Sequence, residues 1–302
     1  MLKYRLITGP LLIIALLAIV WLDNRLDAIT LDGFWQDFFR GKTHPPRGLL
    51  LFVVALGVAP LAARELGAVF RANRIATRTW LTSGAAMVGL ILSYSIPEGT
   101  STTTTAALVS SGLILAFVTS LLTFSRNRNV EGVVAAAGAV MFTAVYIGLM
   151  LGFLLAIRRW HSAWWIVGII LTTKSCDIGA YFTGTLIGRH KMIPWLSAGK
   201  TWEGLAGGVV TAALVGTGMA ALSRMYLGEA DHVPIWGGTI CGIAFAIVGQ
   251  LGDLTMSLFK RGAGLKDSSK ILPGMGGIMD VLDSPLMVSP VAFWLLEAFT
   301  RP

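Results

Sequence analysis

The chain has 302 residues, 55% of them hydrophobic and only 13% charged, with a mean hydropathy of +0.72. Soluble domains carry about a quarter charged residues, so this composition excludes a water-soluble globular fold. The formal net charge is +8, but the basic residues are spread over short segments between apolar blocks. That distribution excludes a nucleic-acid-binding stripe and favours anionic partners such as phosphates and lipid head groups.

A bilayer-spanning helix needs about 20 predominantly apolar residues. The first such block, 7–22, follows Lys3 and Arg5 and is succeeded by Asp23-Asn24-Arg25. No small-residue cleavage site follows it, so the block is expected to be a retained helix and not a signal peptide. The segment 31–41 then places Phe34, Trp35 and Phe38 at helical spacing with charges opposite. It is read either as a helix lying at the interface or, preferably, as an aromatic belt anchoring its neighbours. Further spans are predicted at 48–63, 79–96, 104–124, 131–157, 163–187, 202–222, 234–258 and 276–299, making nine in all. The predicted fold class is therefore an all-α polytopic membrane protein.

Lys and Arg set its orientation. Placing the N-terminus in the cytoplasm puts Lys3, Arg5, Arg64, Arg71, Arg74, Arg78, Arg126, Arg128, Arg189, Lys191, Lys200, Lys260, Arg261, Lys266 and Lys270 inside. Outside are Arg25, Arg40, Lys42, Arg47, Arg158, Arg159, Arg224 and Arg301, and Lys174 falls within a span. The bias favours a cytoplasmic N-terminus and cytoplasmic loops at 188–203 and 259–276. Cys176 and Cys241 lie far apart in apolar blocks and form neither a disulfide framework nor a zinc pattern. His44, His161, His190 and His232 are scattered without metal-ligand spacing.

Three regions interrupt the apolar pattern with chemistry. Lys174 and Asp177 lie inside the sixth span, three residues apart on one helix face. Ionisable groups at that depth face polar cavities or neutralise one another, and the residues alone leave both readings open. The second region is Gly188–Gly204, where Gly199-Lys200-Thr201 has the look of a Walker A ending. Pro194 stands where that motif needs its first glycine, so a P-loop is rejected. A basic Gly/Ser/Thr turn feeding a helix start remains, suited to anions.

The third region is the run from Gly252 to Asp283. Asp280 and Asp283 share one face at the start of the last span, and Asp253 lies near the end of the preceding one. Antiparallel neighbours would bring these acids to similar depth among Lys260, Arg261, Lys266 and Lys270. Carboxylates bind a hard cation such as Mg²⁺ that bridges phosphates, and basic side chains neutralise the remaining phosphate charge. This is the equipment of phosphoryl or nucleotidyl transfer.

The run 257–283 resembles the signature of the phosphatidate cytidylyltransferase family, S-x-apolar-K-R-x4-K-D-x-small-x2-apolar-P-x-H-G-G-apolar-x-D-R-apolar-D. Met275 stands where the family has His, and Val281 where it has Arg. Asp177-Ile178-Gly179-Ala180-Tyr181 and Gly199-Lys200-Thr201-Trp202-Glu203-Gly204 also resemble family motifs, with Ala198 in place of a usual proline. The resemblance covers about 171–296. It implies a catalytic transmembrane region at 161–302, preceded by variable helices at 1–160.

The implied reaction converts CTP and phosphatidate to CDP-diacylglycerol and pyrophosphate, at a cytoplasm-facing site in a bacterial inner membrane. Asp253 and Asp280 would hold Mg²⁺, with Asp283 in support and a second cation beside it left open. Lys260, Arg261 and Lys266 would act with the acids on the phosphates. Asp177, Ser197, Lys200, Thr201, Asp267, Gly276 and Gly277 would line the substrate site. CTP, phosphatidate and membrane lipids are the expected partners, with a second copy of the chain as a candidate. The alternatives are a CTP-using enzyme acting on another lipid, such as a polyprenol kinase or an archaeal-type lipid cytidylyltransferase, and, less favoured, a transporter.

Overall fold

The computed structural model describes residues 2–39, 41–96, 99–126 and 130–300. Arg40, Arg128 and Arg301, counted above for orientation, lie outside the described residues, as do the side chains of Lys3 and Arg5. The described chain is a bundle of long helices. They are α1 (Leu2–Leu26), α3 (Leu49–Ala72), α4 (Thr79–Ser95), α5 (Thr102–Ser125), α6 (Val133–Thr143) with α7 (Met150–Trp160), α8 (Trp164–Leu186), α9 (Trp202–Tyr226), α10 (Ile235–Gly262) and α11 (Ile278–Thr300). Between α6 and α7 the chain stays helical through a π turn, Ala144–Leu149, so the pair continues as one helix. Among the described residues, seven helices are long and apolar enough to cross a membrane. The two long helices outside that set are α4, with 17 residues, and α8, which carries Lys174 and Asp177.

Among the described residues of the stretch 31–41 a short helix forms, α2 (Phe34–Phe38), with Phe34, Trp35 and Phe38 exposed. The expected turn before α9 is instead a hairpin, so the fold is not purely helical. Strands β1 (Lys191–Ile193) and β2 (Ser197–Thr201) pair antiparallel, Lys191 opposite Thr201 and Ile193 opposite Ser197. Proline at 194 offers no N–H to a helix, and Leu196 N–H closes the turn onto Ile193 O at 3.1 Å.

With lipid outside, helices gain little from hydrophobicity alone and pack through close backbone approach. Helix α9 lies between α8 and α10, and α10 against α11. At the α9–α10 contact a Cβ on Gly216 would strike Gly238 O, and one on Gly242 would strike Ala212 O. The parts 1–160 and 161–302 share one core: Leu66 and Phe70 of α3 and Tyr146 of the π turn pack with Met256 of α10 and Met279 and Leu286 of α11.

Several polar segments meet at one end of this bundle. The start of α1 reaches the loop before α11, where Thr8 Oγ1 donates to Pro273 O at 2.9 Å. At the end of α3, Asn73 Nδ2 donates to Phe259 O of α10 at 2.9 Å. The other end of α1 is fastened by a buried ion pair, with Arg158 Nε of α7 donating to Asp23 Oδ2.

Candidate active site

Helices α10 and α11 run antiparallel, and each carries its charges on one face. Asp253 and Lys260 are two turns apart on α10; Asp280 and Asp283 are one turn apart on α11. Where the helices meet, Lys260 Nζ donates to Asp280 Oδ1 at 2.6 Å, both side chains being about nine-tenths buried. The other oxygen of Asp280 accepts from Ser268 N at 2.9 Å, Ser268 Oγ at 2.9 Å and Gly277 N at 2.8 Å. Asp280 is thus reached from the α10 end, the signature loop and its own helix start at once.

A second cluster lies beside the first. Lys174 Nζ of α8 stands 3.5 Å from Asp177 Oδ2 and 3.9 Å from Asp283 Oδ1. Asp283 Oδ1 also accepts from Ser284 N and Ser284 Oγ, at 2.6 and 3.1 Å. The β-hairpin brings Lys200 onto Asp253 as an ion pair. Asp253 is also within electrostatic reach of Asp177 and Asp283. Four carboxylates from three helices are therefore gathered with three ammoniums, two of them from helices and one from the hairpin.

The remaining expected residues lie on the hairpin, the end of α10 and the loop before α11, with different exposures. Thr201 is buried and caps α9, its Oγ1 accepting from Gly204 N at 3.1 Å. Ser197 is half-buried on β2. Arg261, Lys266 and Asp267 are exposed, with Arg261 Nη1 donating to Leu265 O at 3.4 Å. The loop turns sharply before α11: Leu272 and Gly276 exchange backbone hydrogen bonds at 2.8 and 3.0 Å, and Gly276 has φ +93°. A Cβ on Gly277 would overlap Ser268 Oγ and the Glu65 carboxylate. Both glycines are thus required by geometry.

Glu65 was not anticipated. It lies on α3, beyond the predicted end of that span, and is buried. Its Oε1 accepts from Ser269 Oγ at 2.6 Å and Ile278 N at 3.0 Å. Its Oε2 accepts from Ser268 Oγ at 3.0 Å and Met279 N at 2.9 Å. The available signal was the run Leu66, Val69, Phe70, which continues helical apolar spacing past Arg64 and leaves Glu65 as a lone acid within a longer helix.

The donor chemistry fits a hard cation. The oxygens of Asp253 and Asp280 that face their neighbours each meet an ammonium, Lys200 and Lys260 respectively, so positive charge already sits against both. Among the described residues no group of three His, Cys, Asp or Glu side chains is close enough to enclose a metal. Carboxylate oxygens are the donors that a hard cation takes, and Mg²⁺ needs only one or two of them, with water and substrate phosphates completing its shell.

Residues 44–299 match the cytidylyltransferase family. The chain belongs to that family. Among its relatives is a phosphatidate cytidylyltransferase of Bacillus subtilis, 30% identical over 260 residues, covering 83% of this chain and 94% of the relative. A phosphatidate cytidylyltransferase of Staphylococcus epidermidis is 34% identical over 252 residues, covering 82% and 90%. One from Mycobacterium bovis is 33% identical over 159 residues, 52% of this chain and about half of that longer relative, 49%. The family match takes in α3 as well as the signature run, so Glu65 and the acids lie within one matched region.

Proposed function

We propose that this membrane protein is a phosphatidate cytidylyltransferase, joining CTP and phosphatidate into CDP-diacylglycerol and pyrophosphate. The observation that carries the reading is the convergence of Asp177, Asp253, Asp280 and Asp283 with Lys174, Lys200 and Lys260 where α8, α10, α11 and the hairpin meet.

An oxygen of the lipid phosphate attacks the α-phosphorus of CTP. A new P–O bond forms as the bond from that phosphorus to the bridging oxygen breaks, and pyrophosphate leaves with the electron pair. No side-chain nucleophile is needed; positioning and charge stabilisation supply the catalysis. Asp253 and Asp280 would hold Mg²⁺, with Asp283 in support, and the bound cation would polarise the phosphoryl oxygens and offset their charge. Lys200 and Lys260 exchange their carboxylates for substrate phosphates. Arg261 and Lys266, exposed on the loop, meet phosphate as it arrives, and Ser197 on the hairpin donates to it. Asp177 and Lys174 keep the inner wall of the site polar.

The same reading takes α4 and α8 as spans, giving nine, with the N-terminus, the hairpin and the loop 259–276 in the cytoplasm of a bacterial inner membrane. The Lys and Arg bias supports this orientation, as does the contact of Thr8 with Pro273, which ties the start of α1 to the signature loop. Phosphatidate enters sideways between helices, since it already resides in the bilayer. The test is turnover of radiolabelled CTP by the purified protein in detergent, with phosphatidate and a polyprenol supplied in separate arms. Label in CDP-diacylglycerol only with phosphatidate is expected; label transferred only in the polyprenol arm overturns the choice of acceptor.

A further inference from the structure

We propose that Glu65 of α3 is a positioning residue that fixes the signature loop and the first turn of α11, and thereby aims the Asp280 carboxylate. The inference rests on the cytidylyltransferase reading above and assigns a role to a helix on which that reading places no site residue.

The first N–H groups of a helix have no partner within it and need an acceptor, and the N-terminus favours negative charge. For α11 that acceptor is supplied by a helix more than two hundred residues earlier in the chain. Each oxygen of Glu65 takes one backbone N–H and one serine hydroxyl: Ile278 N and Ser269 Oγ on Oε1, Met279 N and Ser268 Oγ on Oε2. One carboxylate thus ties together the loop and the helix it precedes.

Ser268 carries the coupling to the site. Its hydroxyl lies 3.0 Å from Glu65 Oε2 and 2.9 Å from Asp280 Oδ2, and its backbone N–H also donates to Asp280 Oδ2. Two acids therefore share one serine hydroxyl, whose single proton lies between them. The helix start offsets the charge of Glu65, and Lys260 offsets that of Asp280. Gly277 must lack a Cβ because Ser268 and Glu65 fill that space. If the loop drifts from Glu65, Asp280 loses the Ser268 N–H and its contact with the shared Ser268 hydroxyl, and keeps Gly277 N.

The geometry also makes glutamine a poor replacement. Both Glu65 oxygens accept a backbone N–H, so in either amide orientation one of those N–H groups faces an NH₂ donor.

The experiment compares full-length wild type, Glu65→Gln and Ser269→Ala in detergent, each checked for monodispersity. Turnover is measured while CTP and Mg²⁺ are titrated, and tryptic cleavage after Lys266 and Lys270 is followed by mass spectrometry. Glu65→Gln is expected to lower kcat by about tenfold to a hundredfold, to move the Mg²⁺ midpoint upward and to speed cleavage of the loop. Ser269→Ala, which spares both backbone bonds, is expected to shift all three in the same direction by less than about tenfold.

A general loss of folded protein would lower the rate without moving the Mg²⁺ midpoint or the cleavage rate of the folded fraction. That result overturns the positioning role, as does wild-type behaviour of Glu65→Gln. An inert wild type refutes the cytidylyltransferase reading instead. Loop cleavage then judges the anchor by itself: acceleration in Glu65→Gln supports it and no change overturns it.

Discussion

Replacing Asp280 by asparagine separates the carboxylate's charge from its shape. Its Oδ2 accepts three hydrogen bonds, so the amide oxygen of asparagine will take that position and the NH₂ group will point at Lys260. Donor then faces donor. The charge-assisted bond is lost, worth about 1.5–3 kcal/mol, and a lysine side chain only 11% exposed is left without its counter-charge. Breaking one side of a buried pair costs about 3–5 kcal/mol, so Asp280→Asn is expected to melt lower in detergent. Turnover should fall further than folding explains, by about 10²–10³-fold, as for loss of one group stabilising transition-state charge. Adding Lys260→Met removes the orphaned ammonium, so the double variant should regain part of the stability and none of the activity. Thermal melts and CTP turnover on all four proteins complete the cycle. If Asp280→Asn turns over at a rate close to wild type, or if activity returns along with stability in the double variant, the assignment of Asp280 to the chemistry is wrong.

Sidedness is open to impermeant thiol reagents, because the native Cys176 and Cys241 are buried. Cysteines at Ser197 and at exposed Lys266 should react only once the inner face is opened; labelling from outside in intact cells contradicts the topology. Gly277→Ala should disrupt the loop, since its methyl overlaps Ser268 and Glu65; activity lost with a monodisperse protein is the expected result, and normal turnover would refute the packing. The natural chain, with Met275 and Val281, should be an active Mg²⁺-dependent enzyme. An inert natural chain restored by Met275→His plus Val281→Arg would instead mark it as a degenerate homologue.

The helices were legible because length and apolarity announce them, and the order of charged regions announced the site. Asp280 and Asp283, three apart, had to share a face of α11, and an antiparallel α10 puts Asp253 on the neighbouring helix. The hairpin was missed because five residues such as Ser197-Ala198-Gly199-Lys200-Thr201 carry no alternation of apolar and polar side chains; their pairing is set by the turn at Pro194. Lys200 was expected on phosphate, and its partner Asp253 is 53 residues away, a contact no local spacing reveals. Glu65 was hidden for the same reason. Its partners lie more than two hundred residues further on, and a lone acid beside Arg64 reads locally as a helix end.

The pairing of acids with lysines bears on how such a site can exist in a membrane. An isolated charge near the bilayer core costs several kcal/mol on insertion scales, and four carboxylates would be prohibitive alone. Here Lys174 lies between Asp177 and Asp283, Lys200 meets Asp253, and Lys260 meets Asp280, so the chain folds with its charges largely compensated. A buried ion pair adds little net stability, which makes each lysine exchangeable: a phosphate can take the ammonium while a cation takes the carboxylate. On the proposed reading, the partners that neutralise the site in the resting protein would be the groups that bind CTP and its cation. The exchange has to occur without the helices moving apart. Asp280 meets this need, because its second oxygen stays fixed by Ser268 and Gly277 while the first is free to change partner.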